Sequence, residues 1–240
     1  MTDVKWLINR FRAMSAPEIL WRIQQKRLER LERKRFKNAQ IGVCDEVFSR
    51  EYKDLTFDSS VFGLNLSNND NSLNEEIDLL GFDYEDYKGS WFAGFQTENE
   101  WPSVFSYELE YKQRDEIGDA RTNWELNRHF QFVLLAKNYH VTKNQSFLED
   151  FEDQFNSWTN QNPFLIGISW TSTMEFAIRA INWMFALAFL EDNAPSALKD
   201  KLATGIINMI DYVDKHRSRY SSANNHLLVE AAAIGIAGFA

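Results

Sequence analysis

The 240-residue chain contains a single cysteine, Cys44, and no apolar run longer than the ten residues 231–240. One cysteine excludes an intramolecular disulfide and a cysteine-built zinc site, so nothing in the sequence requires an oxidising compartment. The apolar run is about half of a membrane span, and the residues after Met1 alternate charged and apolar types without a continuous hydrophobic region. The sequence therefore predicts no transmembrane segment and no secretory signal. We expect a cytoplasmic location, with a periplasmic or secreted location as the alternative.

Several common catalytic motifs are also missing. The sequence has no glycine-rich phosphate loop, no dinucleotide-binding fingerprint and no serine flanked as in a nucleophile elbow. Its four histidines show no metal-ligand spacing such as His-Glu-x-x-His. We therefore expect no cofactor and no metal ion bound by these residues.

Charge is unevenly distributed along the chain, whose net charge is −9. Residues 1–40 hold 11 Lys and Arg against 4 Asp and Glu, and the remainder holds 15 against 31. The acidic remainder argues against nucleic acid as a partner. The basic segment could make weak contact with a membrane surface, or it could dock on the acidic remainder of its own chain.

Hydrophobic periodicity predicts an all-α protein in three parts. Residues 1–40 form a basic helical segment, and residues 41–118 form a loop-rich linker region in which short strands are possible. Residues 119–240 are helical throughout, and their first helix is predicted to run for about 24 residues from Asp119. Four further helices are predicted, at 147–158, at 170–190, at 195–217 and from residue 221 onward.

Short connections between tandem helices imply antiparallel helical hairpins. The helix at 170–190 is apolar on most faces and must be enclosed by its neighbours. The sequence ends in mid-pattern after an apolar run, without a cap or a polar tail. We expect the chain to be the N-terminal piece of a longer protein.

Arg179 is the most informative residue of the apolar helix. An unpaired buried guanidinium is costly, so Arg179 needs a partner. Glu175 lies four residues earlier on the same face. The sequence predicts a Glu175–Arg179 ion pair, either closed and purely structural or shared with the carboxylate of a ligand.

The start of the last helix offers a second polar group, Asn224, Asn225 and His226. A helix N-terminus carries partial positive charge and free N–H groups, which would stabilise a carboxylate or an enolate oxygen. Glu230, four residues after His226, could orient the imidazole. A capped core helix with a structural histidine is the alternative interpretation.

Three polar clusters, at 124–129, at 170–182 and at 224–226, lie near the starts of the first, third and fifth long helices. If alternate helices run the same way, the clusters surround one opening. A cleft lined by Trp, Arg, Asn and His suits an anionic sugar.

These clusters also carry a family resemblance. Segments 124–129 (WELNRH), 167–183 (GISWTSTMEFAIRAINW) and 222–226 (SANNH) resemble, in order and spacing, the heparinase II/III family of polysaccharide lyases. Segment 11–19 resembles a subset of that family. The resemblance implies an incomplete (α/α) toroid followed by a β-sandwich, and β-elimination of uronate-containing acidic polysaccharide.

The resemblance also implies roles for individual residues. Asn225 would neutralise the uronate carboxylate, and His226 would act as a base or orient the substrate. Substrate-binding positions would be Asn127, His129, Glu175, Arg179, Asn224, Trp124 and Trp170.

The tyrosine and the second histidine of the family come from later segments, so we expect the 240 residues alone to be weakly active or inactive. Two alternatives stay open. The first is a non-lytic protein that binds or remodels a glycan in cell-surface polysaccharide biosynthesis, and the second is a structural helical scaffold.

Overall fold

The computed structural model describes residues 13–47, 79–83, 89–112, 114–190 and 194–239. These ranges contain isolated bridges but no extended strand, which confirms the all-α prediction. The first part of the predicted basic helix, residues 1–12, lies outside the described residues. The described α-helices are α1 (Ala16–Phe36), α2 (Ala120–Asn127), α3 (Phe130–Thr142), α4 (Gln145–Gln161), α5 (Thr173–Leu190), α6 (Ser196–Lys215) and α7 (Asn225–Phe239).

Helix α5 lies at the centre of the helical region. It contacts α3, α6 and α7, and thirteen of its eighteen residues are buried. In length and composition this helix could cross a membrane, but 72% of it is buried inside the protein, as is typical of a core helix. Enclosure by neighbouring helices is therefore confirmed for α5. The incomplete toroid and a following β-sandwich stay predictions.

Helix α4 shows how the hydrophobic pattern positions a helix against this core. Leu148, Phe151, Phe155 and Trp158 recur every three or four residues and are all buried. The side chain of Asn144 accepts a hydrogen bond from the backbone N–H of Ser146 and caps the first turn. Spacing and cap together explain why α4 forms where the sequence predicts it.

The predicted helix of about 24 residues from Asp119 is wrong. It is divided into α2 and α3, because His129 adopts a left-handed backbone conformation with φ 65° and ψ 40°. Such a residue cannot continue the α-helical hydrogen-bond pattern. The apolar periodicity continues through the break and therefore predicts one helix. The tertiary contacts of His129 override this local preference.

The described loops between residues 41 and 118 belong to the core. Val43, Trp91 and Phe105 are buried in the same cluster as the helices. The side-chain amide of Asn208 in α6 donates to the carbonyls of Val43 and Asp45, both at 2.7 Å. These loops therefore pack as part of the helical body rather than as a separate linker, while the boundaries at residues 40 and 118 stay predictions.

Helix α1 is attached to this body through its inward side. Glu32 is buried and accepts a hydrogen bond of 2.6 Å from the hydroxyl of Tyr107. The other carboxylate oxygen of Glu32 lies 2.7 Å from Nε2 of His216, just after α6. The amide of Gln25 donates to the carbonyl of Lys215. Polar contacts thus fix which face of α1 is turned outward.

Candidate functional site

Asn127, the last residue of α2, forms the centre of a buried hydrogen-bond network. Its amide nitrogen donates to the carbonyls of Trp91 and Asn123 at 3.0 and 2.8 Å. Its amide oxygen accepts hydrogen bonds from the indole of Trp158 at 2.7 Å and from the hydroxyl of Ser169 at 2.9 Å. The side chain therefore joins α2, α4 and two loops.

Arg179 of α5 is fully buried beside this network. Its Nε donates to the carbonyl of Asn127 at 2.7 Å, and a terminal nitrogen donates to the carbonyl of Ser169 at 3.0 Å. The guanidinium lies 4.7 and 4.9 Å from the ring centres of Trp158 and Trp170, within cation–π range. Burial lowers the pKa of Arg179 to about 9, which leaves the group charged at neutral pH.

The predicted Glu175–Arg179 ion pair is wrong, because Glu175 pairs with Arg128. Arg128 donates from Nε to one carboxylate oxygen of Glu175 at 2.8 Å and from a terminal nitrogen to the other at 3.1 Å. It also bonds Glu125 on its own helix. Burial opposes the charge of Arg128, but the bond to Glu175 raises its pKa above the ordinary value.

The end of α2 explains why Arg179 bonds main-chain carbonyls rather than the carboxylate of Glu175. A helix that ends leaves its last carbonyls without intrahelical donors. The carbonyl of Asn127 accepts from Arg179, and the carbonyl of Arg128 accepts from the amide of Asn182 at 2.7 Å. Two side chains of α5 thus satisfy the end of α2.

His129 lies in an aromatic enclosure at the same break. Its Nδ1 accepts a hydrogen bond of 2.8 Å from the indole of Trp183, so the neutral ring carries its proton on Nε2. The ring stacks on Phe132 at 4.3 Å and meets Trp158 edge-on at 4.6 Å. Burial, and then the charge of Arg179, hold the pKa of His129 well below its usual value.

Trp124 faces a surface cavity. Its indole N–H donates to the carbonyl of Ile168 and to the hydroxyl of Thr171, and its ring meets Tyr111 edge-on at 5.3 Å. The adjoining cavity has a volume of about 490 Å³. Charged residues of both signs line it, namely Lys112, Arg114, Asp115, Asp119 and Arg121.

The first turn of α7 presents Asn225 and His226 at the surface. Asn225 is exposed and His226 is partly exposed. The side-chain oxygen of Asn224 accepts a hydrogen bond of 2.9 Å from the backbone N–H of His226, which caps the helix. Asn225 is therefore an exposed residue at the first position of a capped helix.

The predicted orientation of His226 by Glu230 is wrong. Glu230 is buried and accepts hydrogen bonds from the backbone N–H and the hydroxyl of Ser218, at 2.6 and 2.8 Å. It therefore fastens the segment between α6 and α7 to the second turn of α7.

Within the described ranges, no group of three or more His, Cys, Asp or Glu side chains could hold a metal ion. Burial raises the pKa of the Cys44 thiol to about 12, so this side chain is not a thiolate nucleophile at neutral pH.

A family model described as Heparinase II/III N-terminus matches residues 66–240. The chain belongs to the heparinase II/III family. No curated protein and no solved structure matches the chain significantly. Family membership relates the chain to polysaccharide lyases, and the match includes the three segments on which the resemblance was based.

In this heparinase II/III family chain, five predicted substrate-binding side chains are at most 1% exposed. They are Asn127, His129, Trp170, Glu175 and Arg179. A polysaccharide cannot contact them in this conformation. Their hydrogen bonds and ring contacts show instead that they hold α2, α4 and α5 together, so a direct sugar contact is not proposed for them.

The structure joins two of the three predicted polar clusters through the Arg128–Glu175 ion pair. Arg128 lies in the predicted cluster 124–129, but the sequence does not single it out as the partner of Glu175, because the two residues are 47 positions apart. Tyr111 was missed, because the aromatic residues of the loop region follow no helical period. The single opening shared by all three clusters stays a prediction.

Proposed function

We propose that this chain binds an acidic, uronate-containing polysaccharide, and that the protein cleaves it by β-elimination. The observation that carries the proposal is the family match, which includes the segment ending in Asn225 and His226. The exposure of these two side chains at the capped start of α7 supports it.

The chemistry needs hydrogen-bond donors around the uronate carboxylate. The amide of Asn225 and the free N–H groups of the first turn of α7 supply neutral donors and partial positive charge. Neutralising the carboxylate acidifies the proton on C5 and stabilises the enolate-like intermediate. His226 accepts that proton or orients the ring for another base.

Bond changes in this step balance within the substrate and the base. The C5–H bond breaks, its proton passes to the base, and the electron pair is delocalised into the carboxyl group as an enolate. This pair then forms the C4–C5 double bond as the C4–O bond breaks, and the leaving oxygen keeps the electrons of that bond and takes up a proton. The products are an unsaturated uronate and a new chain end.

The cavity beside Trp124 serves as a second sugar subsite in this proposal. Tyr111 and Trp124 offer apolar ring surface, and Lys112 and Arg121 offer hydrogen-bond donors to a carboxylate. Asp119 in the same cavity wall offsets part of the positive charge. The subsite therefore suits a sparsely charged glycan better than a highly sulfated one, in agreement with the net charge of −9.

The lytic step is tested by absorbance at 232 nm, with the full-length protein and a panel of uronate-containing glycans. Asn225→Ala should abolish product formation and His226→Ala should reduce it strongly, whereas Leu228→Ala, an exposed change on the same helix, should preserve it. Circular dichroism must show equal helicity in all variants. No absorbance change with any glycan would overturn the lyase proposal.

A binding assay with the same panel then separates the remaining functions. Glycan binding without turnover, weakened by Asn225→Ala or Trp124→Ala, would identify a non-lytic glycan-binding protein. If no glycan binds, the structural scaffold is the remaining interpretation of the chain's function.

A further inference from the structure

The outward face of α1 combines apolar and basic side chains. Leu20, Ile23 and Leu31 are 68%, 62% and 56% exposed, which is unusual for three large apolar residues on one helix. Three exposed basic residues, Arg27, Arg30 and Lys34, share this face, because at about 100° per residue they fall in the same sector of the helix as those apolar residues.

The acidic residues of α1 lie away from this face. Glu18 pairs with Arg22, and Glu29 is partly buried and pairs with Lys26. Glu32 is buried against the body of the protein. Within Ala16–Phe36, therefore, the outward face carries positive charge and apolar surface without a carboxylate.

A surface groove of about 460 Å³ runs along the same side of α1. Its lining includes Met14, Ile19 and Ile23 together with Lys26 and Arg27. Apolar and cationic side chains both line the groove, a combination that suits an acyl chain with an anionic headgroup.

We propose that α1 docks this face on the surface of an anionic lipid bilayer, with the helix parallel to the membrane plane. Basic residues near the surface are attracted to anionic headgroups, and apolar residues between them insert at the acyl boundary. A nucleic acid or a soluble polyanion would engage the charges but leave Leu20, Ile23 and Leu31 in water. The acidic remainder of the chain favours an orientation in which α1 faces the lipid.

The proposal is tested by flotation of the 240-residue chain with vesicles. One set contains phosphatidylcholine with about a third phosphatidylserine, and the other contains phosphatidylcholine alone. We expect the chain to float with the anionic vesicles at about 0.1 M salt and not with the neutral ones. Raising the salt to about 0.5 M should weaken binding, because surface charges are then screened within a few ångströms.

Two variants separate the electrostatic and apolar parts. Arg27→Gln, Arg30→Gln and Lys34→Gln together should weaken partitioning on the order of a hundredfold, at about a factor of five for each basic residue. Leu20→Ser with Ile23→Ser should also weaken it while keeping the charges.

The matched control replaces three exposed basic residues elsewhere by Gln. Lys143, Lys201 and Arg219 serve for this purpose, and their loss should change partitioning much less.

Three results would overturn the proposal. The first is absence of flotation with anionic vesicles, and the second is equal flotation of the α1 variants and the control. The third is binding to heparin or DNA that the Arg27 triple variant loses but the Leu20 double variant retains, since that pattern describes a soluble polyanion site. Self-association lost in the Leu20 double variant without any vesicle binding would point to a second copy of the chain instead.

Discussion

Arg179 donates a hydrogen bond of 2.7 Å from its Nε to the main-chain carbonyl of Asn127, and this bond joins the middle of α5 to the end of α2. The donor is a charged group without solvent exposure, packed against two indole rings. This side chain therefore supplies the donors for two buried carbonyls of the network, those of Asn127 and Ser169.

Replacing Arg179 by Met should destabilise the fold by about 3 kcal/mol or more, because the carbonyls of Asn127 and Ser169 lose their buried donor. Denaturant unfolding followed by far-UV circular dichroism measures this change. Arg219→Met, at an exposed position, is the control and should leave the midpoint unchanged. A midpoint equal to wild type in Arg179→Met would contradict the role of this side chain in the network.

Arg128 and Glu175 should be energetically coupled. Glu175 is buried, so Arg128→Ala leaves an uncompensated carboxylate and should cost about 3 kcal/mol. The double variant with Glu175→Ala should cost less than the sum of the single variants, with a coupling of about 1.5 kcal/mol or more. The surface pair of exposed Lys26 and partly buried Glu29 provides the reference cycle, where the coupling should not exceed about 0.5 kcal/mol. Strict additivity at Arg128 and Glu175 would show that the ion pair does not form in solution.

His129 should make stability fall in mild acid. Its pKa in the folded protein is lowered by burial and by Arg179, whereas an unfolded histidine titrates near its ordinary value of about 6.5. Below that pH the unfolded chain binds a proton that the folded protein refuses. The free energy of unfolding should therefore decrease by up to about 1.4 kcal/mol for each unit by which the pH falls below that value. Above about pH 7 the contribution of His129 to stability should be constant.

The comparison that isolates this effect is His129→Asn. Asparagine tolerates the left-handed conformation, and its oxygen can accept from the Trp183 indole. Unfolding measured between pH 5 and pH 8 should show a shallower pH dependence in the variant, because the unfolded variant has no imidazole at this position to take up a proton. Parallel curves would contradict a neutral buried His129.

Two helical glycines should respond oppositely to alanine. A Cβ on Gly205 in α6 would lie 2.5 Å from the ring of Trp183, which must shift, so Gly205→Ala should cost about 1–3 kcal/mol. A Cβ on Gly235 in α7 meets nothing within 4 Å, so Gly235→Ala should stabilise the protein by about 0.5–1 kcal/mol. Thermal unfolding of both variants checks the pair. Equal shifts of the two melting temperatures would contradict the packing of Gly205 against Trp183.

Sequence reasoning succeeded where local patterns decide the structure. The stripe of Phe147, Phe151, Phe155 and Trp158 predicted α4, and the apolar faces of 170–190 predicted an enclosed α5. It failed where a side chain bonds a residue that is distant in the sequence. Four-residue spacing suggested Glu175 for Arg179 and Glu230 for His226, but Arg128 and Ser218 are the partners of those carboxylates.

The same limit applies to the candidate site. Exposed Asn225 and His226 lie at a helix start, as capping rules predict, whereas the burial of His129 and Arg179 follows from packing that no local pattern reports. Buried polar residues resemble ligand-binding residues in a sequence, because both break an apolar pattern.

The left-handed residue between α2 and α3 determines the axial register of α5. A continuous helix would have used the carbonyls of Asn127 and Arg128 for its own next turn, whereas here they receive Arg179 and Asn182. Sliding α5 by one turn, about 5.4 Å, would break both bonds at once and leave a buried cation without acceptors. A backbone feature of one helix thus selects a single alignment for another helix, whose mostly apolar faces would not determine that alignment by themselves.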